Sequence, residues 1–415
     1  MTVPKKILER IINRINSYSN DMVEFQKTLT ALPAISPVND GQGEWKRARY
    51  IISKIEEYGL NDITEYHAPD NRVAEGTRPN IVVHLKGNEP HPAVWIMAHL
   101  DVVPPGELKH WVSNPFEALV KQGKIYGRGT EDNQQGIITS LFAMRALKEE
   151  GVNPTTDSYM MLVSDEETGS AYGVDYVLNN APQLVGKKDI VVVPDSGNAQ
   201  GGDIEIAEKS ILWCALTVKG KQVHASTPQE GINAHRAAAN LAVRLDEGLH
   251  AQYSEYSQLF DPQQSTFEPT KHEANVQNIN TIPGEEKFYF DCRILPNYSV
   301  ESVMGTISTI CRQIEEQYKV VISTAYPQIA SAAPVTATDA LVVKELSTAI
   351  RQVKGIEPRL IGIGGGTVAA LFRRRGIPAA VWSTIDNTAH APNEYCKIEN
   401  LVEDTKVFAM LFLRS

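Results

Sequence analysis

Ile7, Ile11, Ile12 and Ile15 recur at helical spacing with charged residues between them, which predicts an amphipathic helix at the amino end rather than the apolar core of a signal peptide. Beyond it, apolar β-branched runs alternate with longer helical patterns. Residues 81–85, 93–98, 158–164 and 189–194 read as strands, and 43–58, 136–150 and 172–180 as helices. This alternation predicts an α/β layer with a mixed sheet flanked by helices. The texture changes near Glu208. From Ser210 to about Ala325 the order is strand (211–218), helix (232–247), strand (287–294), helix (300–318), strand (320–324). That is an α+β module with its own apolar set, after which the α/β texture resumes at 339–353 and 378–383. The expected organisation is a catalytic domain in two parts, 1–208 and 326–415, with an inserted domain at 209–325. Residues 252–280 are polar and read as a long excursion outside the core.

Composition narrows the function classes. Forty Lys plus Arg against fifty Asp plus Glu give a net charge of −10, so no overall field attracts a phosphate backbone and nucleic acid is not an expected partner. The longest apolar runs fall far short of the roughly 20 residues a membrane helix needs. The four cysteines, Cys214, Cys292, Cys311 and Cys396, form no CxxC pair, which argues against a thiolate metal site and for a reducing cytoplasm.

The polar residues that could do chemistry cluster just after the predicted strands, where open α/β sheets bind ligands. His99 and Asp101 sit two apart in AHLDVVP and so project in one direction. Taken alone, such a pair is more often an ordinary hydrogen bond than a metal site. Asp132 lies among glycines in YGRGTEDNQQGI, where an acid also serves as a helix cap. Asp165, Glu166 and Glu167 follow another strand, and three adjacent like charges there are costly unless a cation is bound. Asp195 in VVVPDSG and His390 in NTAHAPNEY complete the set. Two histidines and several carboxylates suit a divalent ion, zinc first, with manganese or cobalt as alternatives.

Taken together, HxD, GRGxxD, DEExG, a later Asp and HxxNE resemble, in order and spacing, the M20 family of metallopeptidases and amidohydrolases, in the succinyl-diaminopimelate desuccinylase and acetylornithine deacetylase branch. The likeness includes Trp111, Pro115 and Phe116 and runs over nearly the whole chain. It implies two zinc ions, with cobalt or manganese able to replace them: His99 and Asp195 on one, Glu167 and His390 on the other, and Asp132 bridging. Asp101 would orient His99, and Glu166 would be the general base that activates water and protonates the leaving amine. In the inserted module VKGKQVHASTPQEGINA matches the family's lid signature, which makes His224 a donor to the oxyanion, in many dimeric members supplied by the neighbouring subunit. Asn280, Arg293 and the Gly-rich segment with Gly366 and Thr367 match substrate-contacting positions. The implied activity is hydrolysis of an amide bond in a small N-acyl amino acid, with dipeptidase or carboxypeptidase action on a short peptide as the alternative, in a homodimer formed through the lid. A non-catalytic binding protein would be expected to have lost a ligand or the base, and all are present.

Two departures stand out. Asn133, Gln134 and Gln135 replace the Met-Lys-Gly that commonly follows the bridging Asp, which removes a positive charge. Glu208, Lys209, Ser210 and Ile211 stand where desuccinylases typically carry Arg-Arg-Gly-Ser, so a succinyl carboxylate would lose two cationic partners.

Overall fold

Four strands built on buried apolar runs, Thr156–Val163, Glu89–His99, Ile190–Asn198 and Ala379–Thr384, lie side by side and parallel in a computed structural model that describes residues 4–414. Val191, Val192 and Val193, like Val94 to Ala98, are buried on both faces of the sheet, which is why these runs do not alternate. Antiparallel strands Thr77–Leu85 and Ile63–Pro69 extend one side, and Asp203–Glu208 and Arg359–Ile363 the other, giving eight strands in a mixed sheet. The helices Gln135–Glu149 and Ile398–Leu413 are buried along most of their length and pack on each other. The α/β architecture with a mixed sheet is the one the sequence predicts.

Contacts divide the chain into two units. The first holds the residues up to Ile206, Thr336–Leu360 and those from Val368 on; the second holds Ala207–Val335 and Ile361–Thr367. The second unit is a four-stranded antiparallel sheet in the order Thr266–His272, Glu285–Ile294, Ser210–Lys219, Val321–Ala330, with helices Ala234–Gln252 and Val300–Tyr318. Its strands do alternate: Glu286, Phe288, Phe290, Cys292 and Ile294 are buried, while Lys287, Tyr289, Asp291 and Arg293 are only half-buried.

Three expectations need correcting. Within the stretch 252–280, Thr266–His272 is a strand pairing with Glu285–Ile294. Only Phe267 of it is buried, because an edge strand needs one apolar contact and tolerates polar residues elsewhere. The boundary after residue 325 falls inside a strand, since Val321–Ala330 stays paired with Ser210–Lys219 past a bulge as far as Ala330 opposite Ile211. Residues 361–367 belong to the second unit, where the Lys209 amide donates to the Ile363 carbonyl at 2.9 Å. Among the described residues no helix is long and apolar enough to cross a membrane, and all four cysteines are buried and unpaired.

In the first unit, buried Arg47 ties the amino-terminal helices to the end of the Glu89–His99 strand. It donates to the carbonyls of Leu29 (3.0 Å), Leu32 (3.1 Å) and Leu100 (2.6 Å), and burial lowers its pKa to about 10. Arg47→Met leaves these three acceptors without their donor and is expected to cost on the order of 3 kcal/mol. Urea unfolding measures it, and a loss below about 0.5 kcal/mol would contradict the role given to Arg47.

Candidate metal centre

Each of the four parallel strands delivers a polar residue in its carboxyl half or beyond its carboxyl end: His99, then Glu166 and Glu167, Asp195, and His390. Asp132 comes from an irregular turn, Thr130–Gln134, ahead of the helix Gln135–Glu149. That turn starts at Gly129, whose φ of 83° lies in the left-handed region; a Cβ there would stand 2.4 Å from Val102 Cγ1.

The arrangement centres on Asp132. His99 Nε2 lies 2.8 Å from its Oδ1 and 3.5 Å from Asp195 Oδ1. His390 Nε2 lies 3.1 Å from its Oδ2 and 3.0 Å from Glu167 Oε2. Two groups result, His99–Asp132–Asp195 and Asp132–Glu167–His390, each with ligand atoms within 4.8 Å of one another. Donors bonded to one tetrahedral ion at about 2 Å stand roughly 3.3 Å apart, so these separations suit a shared divalent cation. Glu167 Oε1 is buried without a hydrogen-bond partner, as an oxygen turned towards a cation would be. Glu166 Oε2 stands 4.0 Å from His99 Nε2 and belongs to neither group.

Other buried acids hold the backbone. Asp101 accepts the amides of Glu166 (3.0 Å) and Glu167 (3.1 Å), with Oδ1 3.5 Å from His99 Nδ1. It therefore fixes the acidic turn as well as facing the imidazole. Asp165 turns away from both groups: it takes the Tyr172 amide at 3.1 Å and faces Arg78 at 3.5 Å. Sequence reasoning missed two further acids. Glu394 accepts Arg128 Nη1 (2.6 Å) and the amides of Gly129 (2.9 Å), Glu131 (2.9 Å) and Asp132 (3.1 Å). Glu131 accepts the amides of Asp386 (2.7 Å), Thr388 and Ala389 (3.2 Å), so each loop clamps the other. Glu394 closes the HxxNE motif and Glu131 directly precedes Asp132, and that adjacency to the ligand motifs was the available signal.

The remaining predicted residues lie in the second unit. Asn280 Nδ2 is 3.4 Å from His224 Nε2, and His224 Nδ1 is 2.7 Å from Ser226 Oγ. Arg293 closes its fork on Asp291 (2.6 and 2.9 Å) and donates to the Gly364 carbonyl at 2.9 Å, so it anchors the loop that carries Gly366. Thr367 is tied to Glu208 through its amide (3.0 Å) and hydroxyl (2.6 Å).

Burial, reinforced by the Asp195 carboxylate, pushes the Glu166 carboxyl well above the ordinary range. Hydrogen bonding to Asp132, then to Glu167, raises His390 to about 10. With its folded value raised, His390 stabilises metal-free protein fully below the unperturbed value near 6.5, and that contribution is lost as pH climbs through about 10. The imidazole is more than half exposed, so solvent screens the effect. In chelated protein, the melting-temperature gap between the native chain and His390→Ala should be widest below about pH 6.5 and close towards the alkaline end. A gap that ignores pH would contradict the pairing.

Comparison with known proteins places this geometry. The chain is 40% identical over 403 residues to an uncharacterised metallohydrolase of Methanocaldococcus jannaschii, covering 94% of this chain and 98% of that one. It is 26% identical to a succinyl-diaminopimelate desuccinylase of Wolinella succinogenes, covering 90% and 94%. Among solved structures, human carnosine dipeptidase 1 (TM-score 0.69, 17% identity, 99% of each chain) and an M20 metallo-carboxypeptidase of Sulfolobus solfataricus (TM-score 0.70, 20% identity, 95% and 98%) share the fold. Residues 95–414 match peptidase family M20/M25/M40, and with both histidine–carboxylate groups inside that span the chain belongs to this family of metallohydrolases.

Proposed function

We propose that the protein is a two-metal amidohydrolase that cleaves the amide bond of small N-acyl amino acids, with zinc as its ion and cobalt or manganese able to replace it. The observation that carries this reading is Asp132 facing two imidazoles with opposite oxygens while Glu166 stays outside both ligand groups. Divalent ions held by these residues supply Lewis acidity to a scissile carbonyl and make water acidic enough to be activated near neutral pH. The chain supplies the proton traffic. Glu166, desolvated and beside Asp195, has a raised proton affinity, so its carboxylate is suited to take a proton from water and return it to the leaving amine. Glu167 is committed to His390 at 3.0 Å, and the two adjacent acids divide the work.

The desuccinylase relatives support an N-acyl substrate. Against a succinyl group in particular, the ammonium of Lys209 is engaged by the carbonyls of Pro262 (2.9 Å) and Gln264 (2.5 Å), and Glu208 by Thr367. A dipeptidase or carboxypeptidase is the second reading, favoured by the functions named for the structural neighbours. His224 is assigned the oxyanion donor and Asn280 and Arg293 the substrate side. A homodimer through the second unit is consistent with the exposed edge strands Thr266–His272 and Val321–Ala330, whose outer ladders carry no partner strand among the described residues. A cytoplasmic setting is part of the same proposal.

Zinc-reconstituted protein assayed on N-acetyl and N-succinyl amino acids beside free dipeptides separates the readings. Preference for the blocked amino acids supports the deacylase, and preference for dipeptides replaces it with the peptidase. Glu166→Gln should keep its ions and lose most turnover; retained turnover would remove Glu166 as the base. His224→Ala should lower kcat by about 100- to 1,000-fold with a smaller effect on KM, as loss of one oxyanion donor does. An unchanged kcat would make His224 structural.

A further inference from the structure

The two histidines of the metal centre are held in different ways. His99 ends a strand, registers with Val163 on the neighbouring strand and is almost wholly buried. His390 stands in irregular backbone between Ala379–Thr384 and Tyr395–Lys397, at a φ of 63° and with its side chain 57% exposed. No sheet ladder fixes it. Instead the backbone leading to it is gathered on one carboxylate: the amides of Asp386, Thr388 and Ala389 and the Thr388 hydroxyl (2.9 Å) all donate to Glu131, which is only 4% exposed. Glu131 is the residue next to the bridging Asp132, and its own amide is held by Glu394 at 2.9 Å.

We propose that Glu131 is a positioning residue: its carboxylate pins residues 386–389 and so sets His390 against Asp132 and Glu167, which lets one cation position be weakened without the other. This rests on the two-metal reading above. Four donors on one carboxylate leave an amide side chain no equivalent arrangement, because its NH₂ would face backbone N–H groups. Glu394, by contrast, holds the amides of Gly129, Glu131 and Asp132, and Asp132 serves both positions. The two acids should therefore give different signatures.

The test uses the full chain, stripped with a chelator and titrated with cobalt(II) chloride, followed by calorimetry and the visible cobalt spectrum. The native chain should take up two equivalents. Glu131→Gln should bind one equivalent as the native chain does and the other about 10- to 100-fold more weakly, whereas Glu394→Gln should weaken both. Two native-like equivalents in Glu131→Gln overturn the proposal, and an equal loss at both positions overturns it in favour of a merely structural role. If Glu131→Gln does not fold by circular dichroism, Thr388→Val, which removes one of the four donors, must show the same split at smaller size or the proposal falls. Fewer than two equivalents in the native chain would defeat the two-metal reading itself, and this is told apart by appearing without any substitution.

Discussion

A single short carboxylate, Asp132, presents one oxygen to His99 and the other to His390, 2.8 and 3.1 Å away, although the two imidazoles are far apart in sequence. An aspartate cannot satisfy both by side-chain rotation alone, so its backbone must be fixed first. Glu394 does this through four donors on the segment from Arg128 to Asp132. Asn133 then sets the neighbouring ligand, donating to the Pro194 carbonyl (2.5 Å) and to Asp195 Oδ1 (3.1 Å). Shifts of a few tenths of an ångström in this turn would be felt at both imidazoles, which explains why so many buried polar contacts are spent on five residues.

The acids around the centre fall into two electrostatic kinds. Asp101, Glu131 and Glu394 are surrounded by backbone N–H donors, which compensate their charge locally and let them sit in the interior as scaffolding. Asp195, Glu166 and Glu167 have far fewer donors and face one another and Asp132. Burial first, and then a neighbouring carboxylate (Asp195 for Glu166, Asp132 for Glu167), raises Glu166 and Glu167, and Glu167 Oε1 has no hydrogen-bond partner. A divalent cation would offset that imbalance for the ligands, and Glu166 lies outside both ligand groups, which suits the role of base proposed for it.

What was legible in the sequence follows from the same division. Strands buried on both faces appear as unbroken apolar runs, so 93–98 and 189–194 could be read directly, and His99, Asp195 and the acidic turn were found because they follow such runs. The scaffold acids could not be assigned that way. Glu131 and Glu394 acquire their roles from amides more than 250 positions distant, and no local pattern announces a carboxylate whose partners are backbone N–H groups. Asp165, adjacent to Glu166 in sequence and counted with it only as one of three like charges, starts its turn at φ 65° and faces Arg78. The edge strand Thr266–His272 escaped because, with one buried side chain, it carries almost no apolar signal.

The departures from the common family pattern also change meaning once their surroundings are known. Replacing Lys by Gln134 reads as a lost charge, but the Gln134 side chain accepts from Gln26 (2.6 Å) and Thr30 (3.0 Å) and donates to the Arg128 carbonyl (3.3 Å). Gln135 likewise donates to the Thr384 carbonyl (2.8 Å). An amide can accept and donate at once, which an ammonium cannot, so Gln134 and Gln26 form a matched pair in which neither position is free to carry a buried charge. The turn that carries Asp132 is thus supported by neutral hydrogen bonds. The Asp132 carboxylate oxygens face the two imidazoles at 2.8 and 3.1 Å, so the polar support from Gln134 adds no charge to that balance.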